Sequence, residues 1–135
     1  MKNIIIVTAA VIFNSAGEVL ISQRKKVSHK ALKWEFPGGT LEPNESPEDC
    51  IIREIFEELA IKINVIDIYK VVLHRYPEKN VLLLVYQCQH ISGNLKIIDC
   101  NDARWVKLED LNNYDFAEAD LPVVEKILKT KKNNN

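Results

Sequence analysis

The chain has 135 residues, the length of one domain that can bury a core without disulfide or metal crosslinks. With 47% hydrophobic and 27% charged residues, it has the composition of a globular protein and not that of a disordered chain. A formal net charge of −1 provides no basic surface, so binding to a nucleic acid polymer is not expected.

The first part of the chain predicts two paired strands. Residues 3–13 are β-branched and nearly all apolar, which is typical of a strand buried on both faces. This run is too short to span a membrane, and no membrane contact is expected. The turn at 14–17 leads into residues 18–24, whose alternation predicts a hairpin partner. The basic residues 24–26 are either a solvated rim or an anion clamp beside phosphates.

A loop and a glycine turn precede the first predicted helix. Residues 27–33 are predicted to form a loop, in which His29 is either hydrated or close to a substrate base. Residues 34–39, WEFPGG, predict a short strand interrupted by proline and glycine, whose backbone can approach a ligand closely. A helix is predicted to begin at Pro47, because Ser46 offers an N-cap hydroxyl and proline is favoured at the first helical position.

The predicted helix has two different faces. At about 100° per residue, Glu54, Glu57 and Glu58 fall within one narrow arc. The opposite face is predicted to be apolar, with Ile52, Ile55, Phe56 and Leu59. Three carboxylates about 5–6 Å apart at their roots repel one another, and a bound cation removes that cost. Such hard oxygen donors suit Mg²⁺ or Mn²⁺. The alternative is an acidic face exposed to water.

The remainder of the chain predicts further strands and a C-terminal helix. The strands are expected at residues 62–75, 80–90, 95–99 and 103–108. Asp120, two residues before a proline, is a natural N-cap for the helix. The polar tail from Lys129 is expected to be disordered. The sequence thus predicts a single domain over residues 1–130, followed by a disordered tail at 131–135.

The cysteines bear on the cellular compartment. Cys50, Cys88 and Cys100 are odd in number and widely separated, which favours a reducing compartment and a cytoplasmic location. Secretion is the alternative, because the apolar residues 4–13 after Lys2 resemble the hydrophobic region of a signal peptide. Cys50 lies one turn before Glu54 and is expected to be a small packed side chain, with a soft-metal role as the alternative.

One motif carries most of the functional information. The pattern G-x5-E-x7-REIFEELAI over residues 39–61 resembles the Nudix box, the signature of the Nudix hydrolase family. It departs from that signature at Ala60, where the family has glycine. Because a helix C-terminus usually adopts the left-handed conformation there, alanine is expected to cost on the order of 1 kcal/mol without loss of a ligand.

The resemblance implies a fold and a reaction. The Nudix fold is an α/β (α+β) arrangement in which a mixed central β-sheet is sandwiched between helices, and the family is often dimeric. The implied reaction is Mg²⁺-dependent hydrolysis of a nucleoside triphosphate to the monophosphate and pyrophosphate. Residues 34–39 resemble the branch of the family that hydrolyses nucleoside triphosphates, which includes the mutator-type 8-oxo-dGTP hydrolases. Two alternatives stay open: CTP or 5-methyl-dCTP as substrate, and a catalytically idle domain that binds nucleotide for regulation.

The resemblance also implies roles for individual residues. The expected metal ligands are Gly38, Gly39, Glu54, Glu57, Glu58 and Asp99. Glu54 is expected to double as general base, Arg53 to orient the carboxylates, and Glu45 to brace the loop. Asp99 is shorter than the glutamate that the mutator-type branch has six residues before a tryptophan. Asp102 is the nearby substitute, and both are otherwise turn acids.

Four residues are expected to bind the substrate, namely Arg24, Phe36, Tyr76 and Asp120. By resemblance, Arg24 reaches the phosphates, Phe36 lines the base pocket, and Asp120 hydrogen-bonds the base. For Phe36 a purely structural place in the core is the alternative. Tyr76 lies near a predicted turn, where it either stacks on a base or faces water.

Overall fold

The computed structural model describes residues 3–28 and 30–133, so the hypothesis about His29 lies outside the described residues. Within these ranges the chain forms seven strands and two α-helices. They are β1 (Ile4–Phe13), β2 (Val19–Gln23), β3 (Trp34–Glu35), β4 (Gly38–Thr40), α1 (Pro47–Leu59), β5 (Lys62–Arg75), β6 (Asn80–Ser92), β7 (Asp102–Val106) and α2 (Leu121–Asn133). Two 3₁₀ helices, Leu108–Asn113 and Glu118–Asp120, precede α2. Neither α1 nor α2 is long and apolar enough to cross a bilayer.

The strands form one mixed sheet in the order β3-β2-β1-β6-β5, with β4 paired to β1 and β7 paired to β2. Strand β1 runs parallel to β6 along its whole length, from Ile4 opposite Asn80 to Phe13 opposite Gln89. The predicted hairpin exists, with Phe13 opposite Val19, but the longer partner of β2 is β7. The sheet therefore brings residues that are distant in sequence, such as those of β1 and β6, side by side.

Each helix covers one face of the sheet, which confirms the predicted α+β arrangement with a mixed sheet between helices. One core contains α1 residues such as Ile51 and Ile55 with Ala10 and Ile12 of β1. The other core, on the α2 side, includes Val123. The prediction that β1 is buried on both faces holds for residues 8–12 only, because residues 4–7 are exposed or half-buried.

Helix α1 has the predicted start and the predicted kind of end. Ser46 Oγ accepts a hydrogen bond from the Asp49 N–H at 3.1 Å, and Pro47 is the first helical residue. Ala60 follows the helix in the left-handed region with φ 61°, and its N–H donates to the Phe56 carbonyl at 3.0 Å. An alanine thus occupies the conformation in which glycine is the unstrained residue.

The predicted buried face of α1 is partly wrong. Ile52 and Phe56 are 41% and 51% exposed, whereas Ile51 is fully buried. The helix presents its i, i+4, i+8 row of Ile51, Ile55 and Leu59 to the sheet. The sequence pattern leaves this rotation open, because two further apolar residues, Ile52 and Phe56, lie beside that row.

Two predictions about the second half of the chain are corrected. Residues 95–99 do not form a strand; instead the N–H groups of Lys96 and Ile98 donate to carbonyls of the last turn of α1, each at 3.0 Å. This segment therefore satisfies carbonyls that a helix end leaves without an intrahelical partner. The tail is not disordered over 129–133, because α2 continues to Asn133, and Lys131 forms an ion pair with Glu109.

Candidate active site

A cavity of about 550 Å³ opens where β4, α1 and the turn before α2 meet. Its lining is chemically divided. One part carries Glu54 and Glu58 beside the glycines of β4, and the other carries Phe36 and Asp120. The cavity therefore joins several of the residues that the sequence singled out, although they come from five separate segments of the chain.

The two glycines of β4 are required by close contacts. A Cβ atom on Gly38 would lie 1.9 Å from the carbonyl oxygen of Thr8, and one on Gly39 would lie 2.4 Å from Cδ of Glu54. No side chain fits at either position without moving its neighbour. The backbone of β4 thus passes directly between β1 and the Glu54 carboxylate.

The carbonyl of Gly38 is directed away from β1. The Pro37 carbonyl accepts from Ala10 N–H at 2.8 Å, and the Leu41 N–H donates to the Ile6 carbonyl at 3.0 Å. Because alternate residues of a strand direct their backbone groups to the same neighbour, the odd-numbered positions face β1 and Gly38 faces outward. Its carbonyl oxygen is therefore placed to meet a ligand at the sheet edge.

Arg53 organises the carboxylates of α1 and of the preceding loop. It binds Glu45 through two nitrogens, at 2.8 and 3.1 Å, and it also contacts Glu54 at 3.0 Å and Glu57 at 3.3 Å. Hydrogen bonding to Arg53 lowers the pKa of Glu45 to about 2, and the same pair raises the pKa of Arg53. Glu45 also accepts from the backbone N–H of Glu42 at 3.1 Å, which ties the loop to the helix.

Glu57 and Glu58 occupy different environments. Glu57 is drawn along the helix surface to Arg53 and is 57% exposed, so it does not line the cavity. Glu58 does line it, and burial, followed by the charges of Glu54 and Glu35, raises the pKa of Glu58 to about 8. Five acidic side chains thus share the cavity lining with three basic ones.

The expected divalent ion would need both side-chain and backbone oxygens as ligands. Among residues 3–28 and 30–133, no three Asp, Glu, His or Cys side chains lie close enough together to hold a metal by themselves. Two carboxylates, Glu54 and Glu58, nevertheless line the cavity with the glycine backbone, and all three supply oxygen. Carboxylate and carbonyl oxygens in a mainly acidic lining fit Mg²⁺ or Mn²⁺.

Sequence reasoning missed Glu35. Its carboxylate accepts from Arg24 Nη1 at 2.8 Å, and both side chains line the cavity. Burial raises the pKa of Glu35 although Arg24 opposes the shift. The available signal was the acidic residue between Trp34 and Phe36, two aromatic residues that the structure buries.

The expected base-binding residues lie together. Phe36 is buried and stacks on Phe116 with ring centroids 5.4 Å apart, and its N–H donates to Asp120 Oδ1 at 3.1 Å. Asp120 immediately precedes α2, which is the position of the predicted N-cap. Its Oδ1 atom, however, accepts the hydrogen bond from Phe36 N–H. Burial, followed by the charge of Glu35, raises the pKa of Asp120 to about 8. Asp120 is therefore a buried acid that favours its protonated form.

Tyr76 lies in the wall of the cavity and does not face water. Its side chain is buried, with the ring of His74 edge-on at 4.4 Å and the Lys30 ammonium 5.1 Å from its centroid. Lys30 also lines the cavity. The alternative in which Tyr76 is solvated is therefore wrong.

Neither of the two expected turn acids lines the cavity. Asp99 is 59% exposed and pairs with Lys25, and Asp102 bonds Arg104 at 2.9 Å. The charge of Asp99 does contribute to the raised pKa of Glu58. Asp99 is thus close enough to influence the carboxylate region without contacting the cavity wall.

Cys50, Cys88 and Cys100 are all free thiols. Cys50 is buried, and its Sγ lies 3.4 Å from Thr8 Oγ1 behind the glycine strand. This placement agrees with the expected packed side chain.

Known proteins resemble this chain over most of its length. A family profile described as "NUDIX domain" matches residues 4–127. An 8-oxo-dGTP diphosphatase of Escherichia coli K12 is 29% identical over 121 residues, which cover 90% of this chain and 94% of that protein. A CTP pyrophosphohydrolase of the same strain is 31% identical over 125 residues, with 93% and 91% covered. The crystal structure of the MutT protein from Methanosarcina mazei Go1 superposes with a TM-score of 0.86 and 30% identity over 97% of both chains.

Proposed function

We propose a reaction for this chain on the premise that it belongs to the NUDIX family, as the motif at residues 39–61 predicted. The reaction is hydrolysis of a nucleoside triphosphate to the nucleoside monophosphate and pyrophosphate. The fold and the relatives named as diphosphatase and pyrophosphohydrolase support a hydrolase of this kind. The proposed location is the cytoplasm, in agreement with the free thiols.

The observation that carries the proposal is the division of the cavity. A volume of about 550 Å³ lies within the range of small-molecule sites. Its carboxylate part suits a cation-bound phosphate chain, and the part with Phe36, Tyr76 and Asp120 suits a nucleobase, which offers a flat ring and hydrogen-bonding edges. No polymer is needed to fill a site of this size.

The proposed cofactor is Mg²⁺, with Mn²⁺ as a substitute. Glu54, Glu58 and the outward carbonyl of Gly38 would hold it. Gly39, Glu57 and Asp99 complete the proposed ligand set, in which Glu57 and Asp99 would turn to the ion from their present partners Arg53 and Lys25 outside the cavity lining. When bound, the ion neutralises phosphate charge and lowers the pKa of a water molecule. Of the two glycines, Gly38 is the preferred ligand, since its carbonyl faces away from β1.

The protein's own groups have distinct proposed roles. Glu54 accepts the proton of the attacking water, and Arg53 positions Glu54 and Glu57 through its fork of N–H groups. Arg24 contacts the phosphates from the other side of the cavity, where Glu35 holds its guanidinium in place. Arg53 acts through the carboxylates and is therefore a positioning residue.

The proposed base is an oxidised purine, with 8-oxo-dGTP as the first candidate. A protonated Asp120 donates one hydrogen bond and accepts another, which suits a base edge that carries both a carbonyl and an N–H group. CTP or 5-methyl-dCTP is the second candidate, favoured by the 31% identity to a CTP pyrophosphohydrolase.

Pyrophosphate release from a panel of nucleoside triphosphates, measured with Mg²⁺, tests the proposal. We expect release from 8-oxo-dGTP in excess over dGTP, with CTP and 5-methyl-dCTP as the comparison pair. EDTA tests the proposed cofactor. Pyrophosphate release should be lost when EDTA is present and should return when Mg²⁺ or Mn²⁺ is added in excess. A folded protein that binds nucleotides but hydrolyses none of them would establish the regulatory alternative.

A further inference from the structure

The short strand β4 has almost no side chains with which to fix its own position. Gly38 and Gly39 are two of its three residues. Among the strands that the structure describes, β4 pairs with β1 alone, with Gly39 opposite Thr8 and Gly38 opposite Ala9. Because glycine leaves the backbone free to adopt many conformations, the place of this strand depends on the groups that β1 and α1 present to it.

Thr8 of β1 presents a buried hydroxyl group to the glycine backbone. The residue is 0% exposed. Its Oγ1 donates a hydrogen bond to the Gly39 carbonyl at 3.1 Å and lies 3.4 Å from Cys50 Sγ. Cys50 belongs to α1 and precedes Glu54 by one helical turn. A single hydroxyl group thus contacts β4 on one side and the acidic helix on the other.

This contact determines the direction of the Gly38 carbonyl. The odd-numbered residues of β4 direct their backbone groups to β1, so Gly39 faces Thr8. In a trans peptide, the N–H of one residue and the carbonyl of the preceding residue point in opposite directions. Holding Gly39 against Thr8 consequently turns the Gly38 carbonyl away from β1.

The same contact helps to set the spacing between β4 and α1. The Glu54 carboxylate lies against Gly39, where an added Cβ would come within 2.4 Å of Glu54 Cδ. One turn earlier, Cys50 Sγ touches Thr8 and lies 3.6 Å from the Thr40 carbonyl. Contacts at residues 50 and 54 therefore hold one side of α1 against the glycine strand.

We propose that Thr8 is a positioning residue for the metal site. Its hydroxyl group keeps the Gly38–Gly39 peptide where the Gly38 carbonyl and the Glu54 carboxylate can bind the same ion. The inference rests on the proposed function, because that function supplies the ion. Thr8 acts through the peptide, since its hydroxyl group is bonded to β4. Removing a group that orients a metal ligand typically weakens metal binding by about 10–100-fold.

Thr8→Val separates this role from a purely structural one. Valine has nearly the shape of threonine and is favoured in strands, so the variant should fold. It loses the hydroxyl group but keeps the backbone pairing of β1 with β4. If the hydroxyl group only stabilised the fold, the folded variant would bind metal as the wild type does.

Mn²⁺ binding to the full chain without nucleotide, followed by the electron paramagnetic resonance of free Mn²⁺, tests the proposal. Thr8→Val should weaken binding about tenfold. Thr8→Ser, which keeps the hydroxyl group, should bind like the wild type. Ser22→Ala is the matched control, because Ser22 is the other buried serine or threonine of the described chain and lies outside the cavity lining. Thr8→Ala takes the place of Thr8→Val if the valine variant does not fold.

Equal Mn²⁺ affinity in Thr8→Val and the wild type would overturn the proposal. A loss in Thr8→Ser as large as that in Thr8→Val would also overturn it, because the hydroxyl group would not be the cause. Weaker binding in Thr8→Val alone supports the proposal even if no nucleoside triphosphate is hydrolysed. A wild-type protein that binds no Mn²⁺ would overturn it together with the proposed cofactor.

A double-mutant cycle with Cys50→Ala tests the contact with α1. If Thr8 and Cys50 act through one contact, adding Cys50→Ala to Thr8→Val should cause no further loss of Mn²⁺ affinity. Two independent losses would overturn the assigned link to α1. In pyrophosphate release, Thr8→Val should need about tenfold more Mg²⁺ for half-maximal activity. A reduced kcat at saturating Mg²⁺, with an unchanged Mg²⁺ requirement, would contradict the proposal.

Discussion

The carboxylate of Glu54 lies against the backbone of Gly39, in space that any side chain at position 39 would occupy. A Cβ there would come within 2.4 Å of Glu54 Cδ and 2.6 Å of its Oε2. Only 17% of the Glu54 side chain is exposed. The glycine strand and the acidic helix are thus packed directly against each other, although 14 residues lie between Gly39 and Glu54 in the sequence.

Gly39→Ala should lower kcat by about a hundredfold, the scale expected when a reacting group is displaced by about 1 Å. The added methyl group displaces the Glu54 carboxylate or moves β4 from β1. Steady-state pyrophosphate release measures the effect. Gly17→Ala is the matched control, because Gly17 has φ +77° and no atom within 4 Å of an added Cβ. The control should lose stability and keep its activity; equal losses of kcat in both variants would contradict the explanation.

Glu54→Gln and Glu57→Gln should each lower turnover by at least about a hundredfold, because a general base or a metal ligand is lost. Both proteins should remain folded, as judged by thermal melting. Glu125→Gln serves as control, since Glu125 pairs with Lys129 on α2 and lies outside the cavity lining. Near wild-type turnover in Glu54→Gln would remove that residue from the proposed mechanism.

Ala60→Gly should raise the free energy of unfolding by about 1 kcal/mol, because glycine adopts a positive φ without the steric cost that alanine has. Ala60 has φ 61° at the end of α1. Urea denaturation measures the change. Ala31→Gly is the comparison, since position 31 is exposed and has no positive φ. A gain of stability in both variants, or in neither, would argue against relief of local strain.

The stability of the protein should fall as pH rises from about 4 to about 8. Burial raises the pKa of Asp120 from 3.8 to about 8, so the folded state binds more protons than the unfolded state in this window. The slope of the unfolding free energy against pH is proportional to the number of protons bound by the unfolded state minus the number bound by the folded state. This difference is negative here, so the slope is negative. Asp120→Asn should make the slope of unfolding free energy against pH less steep by up to about 1.4 kcal/mol per pH unit. Chemical denaturation in EDTA at several pH values across this range measures the slope. The same slope of unfolding free energy against pH in Asp120→Asn and in the wild type would refute the assignment.

The errors of sequence reasoning share a physical origin. The pattern predicts Ile52 and Phe56 on the buried face of α1, but an apolar stripe that is wider than the contact with the sheet does not specify the rotation of the helix. Residues 95–99 have the composition of a strand and bond to the end of α1 instead. Glu35 was missed because its significance depends on its distance from Arg24, which is 11 residues earlier in the chain. Each of these depends on a contact that local composition does not contain.

The amino-acid sequence by itself determined the family, the start of α1 at Pro47, the strained position of Ala60 and the acidic face of the helix. These follow from interactions within a few residues of one another, such as an N-cap hydrogen bond or helical periodicity. Only the tertiary structure decided which carboxylates share the cavity, that Asp120 bonds Phe36, and that the glycine strand β4 lies between β1 and α1. Those features arise where distant segments meet, because burial and proximity there depend on how the sheet is ordered and how the helices lie on it.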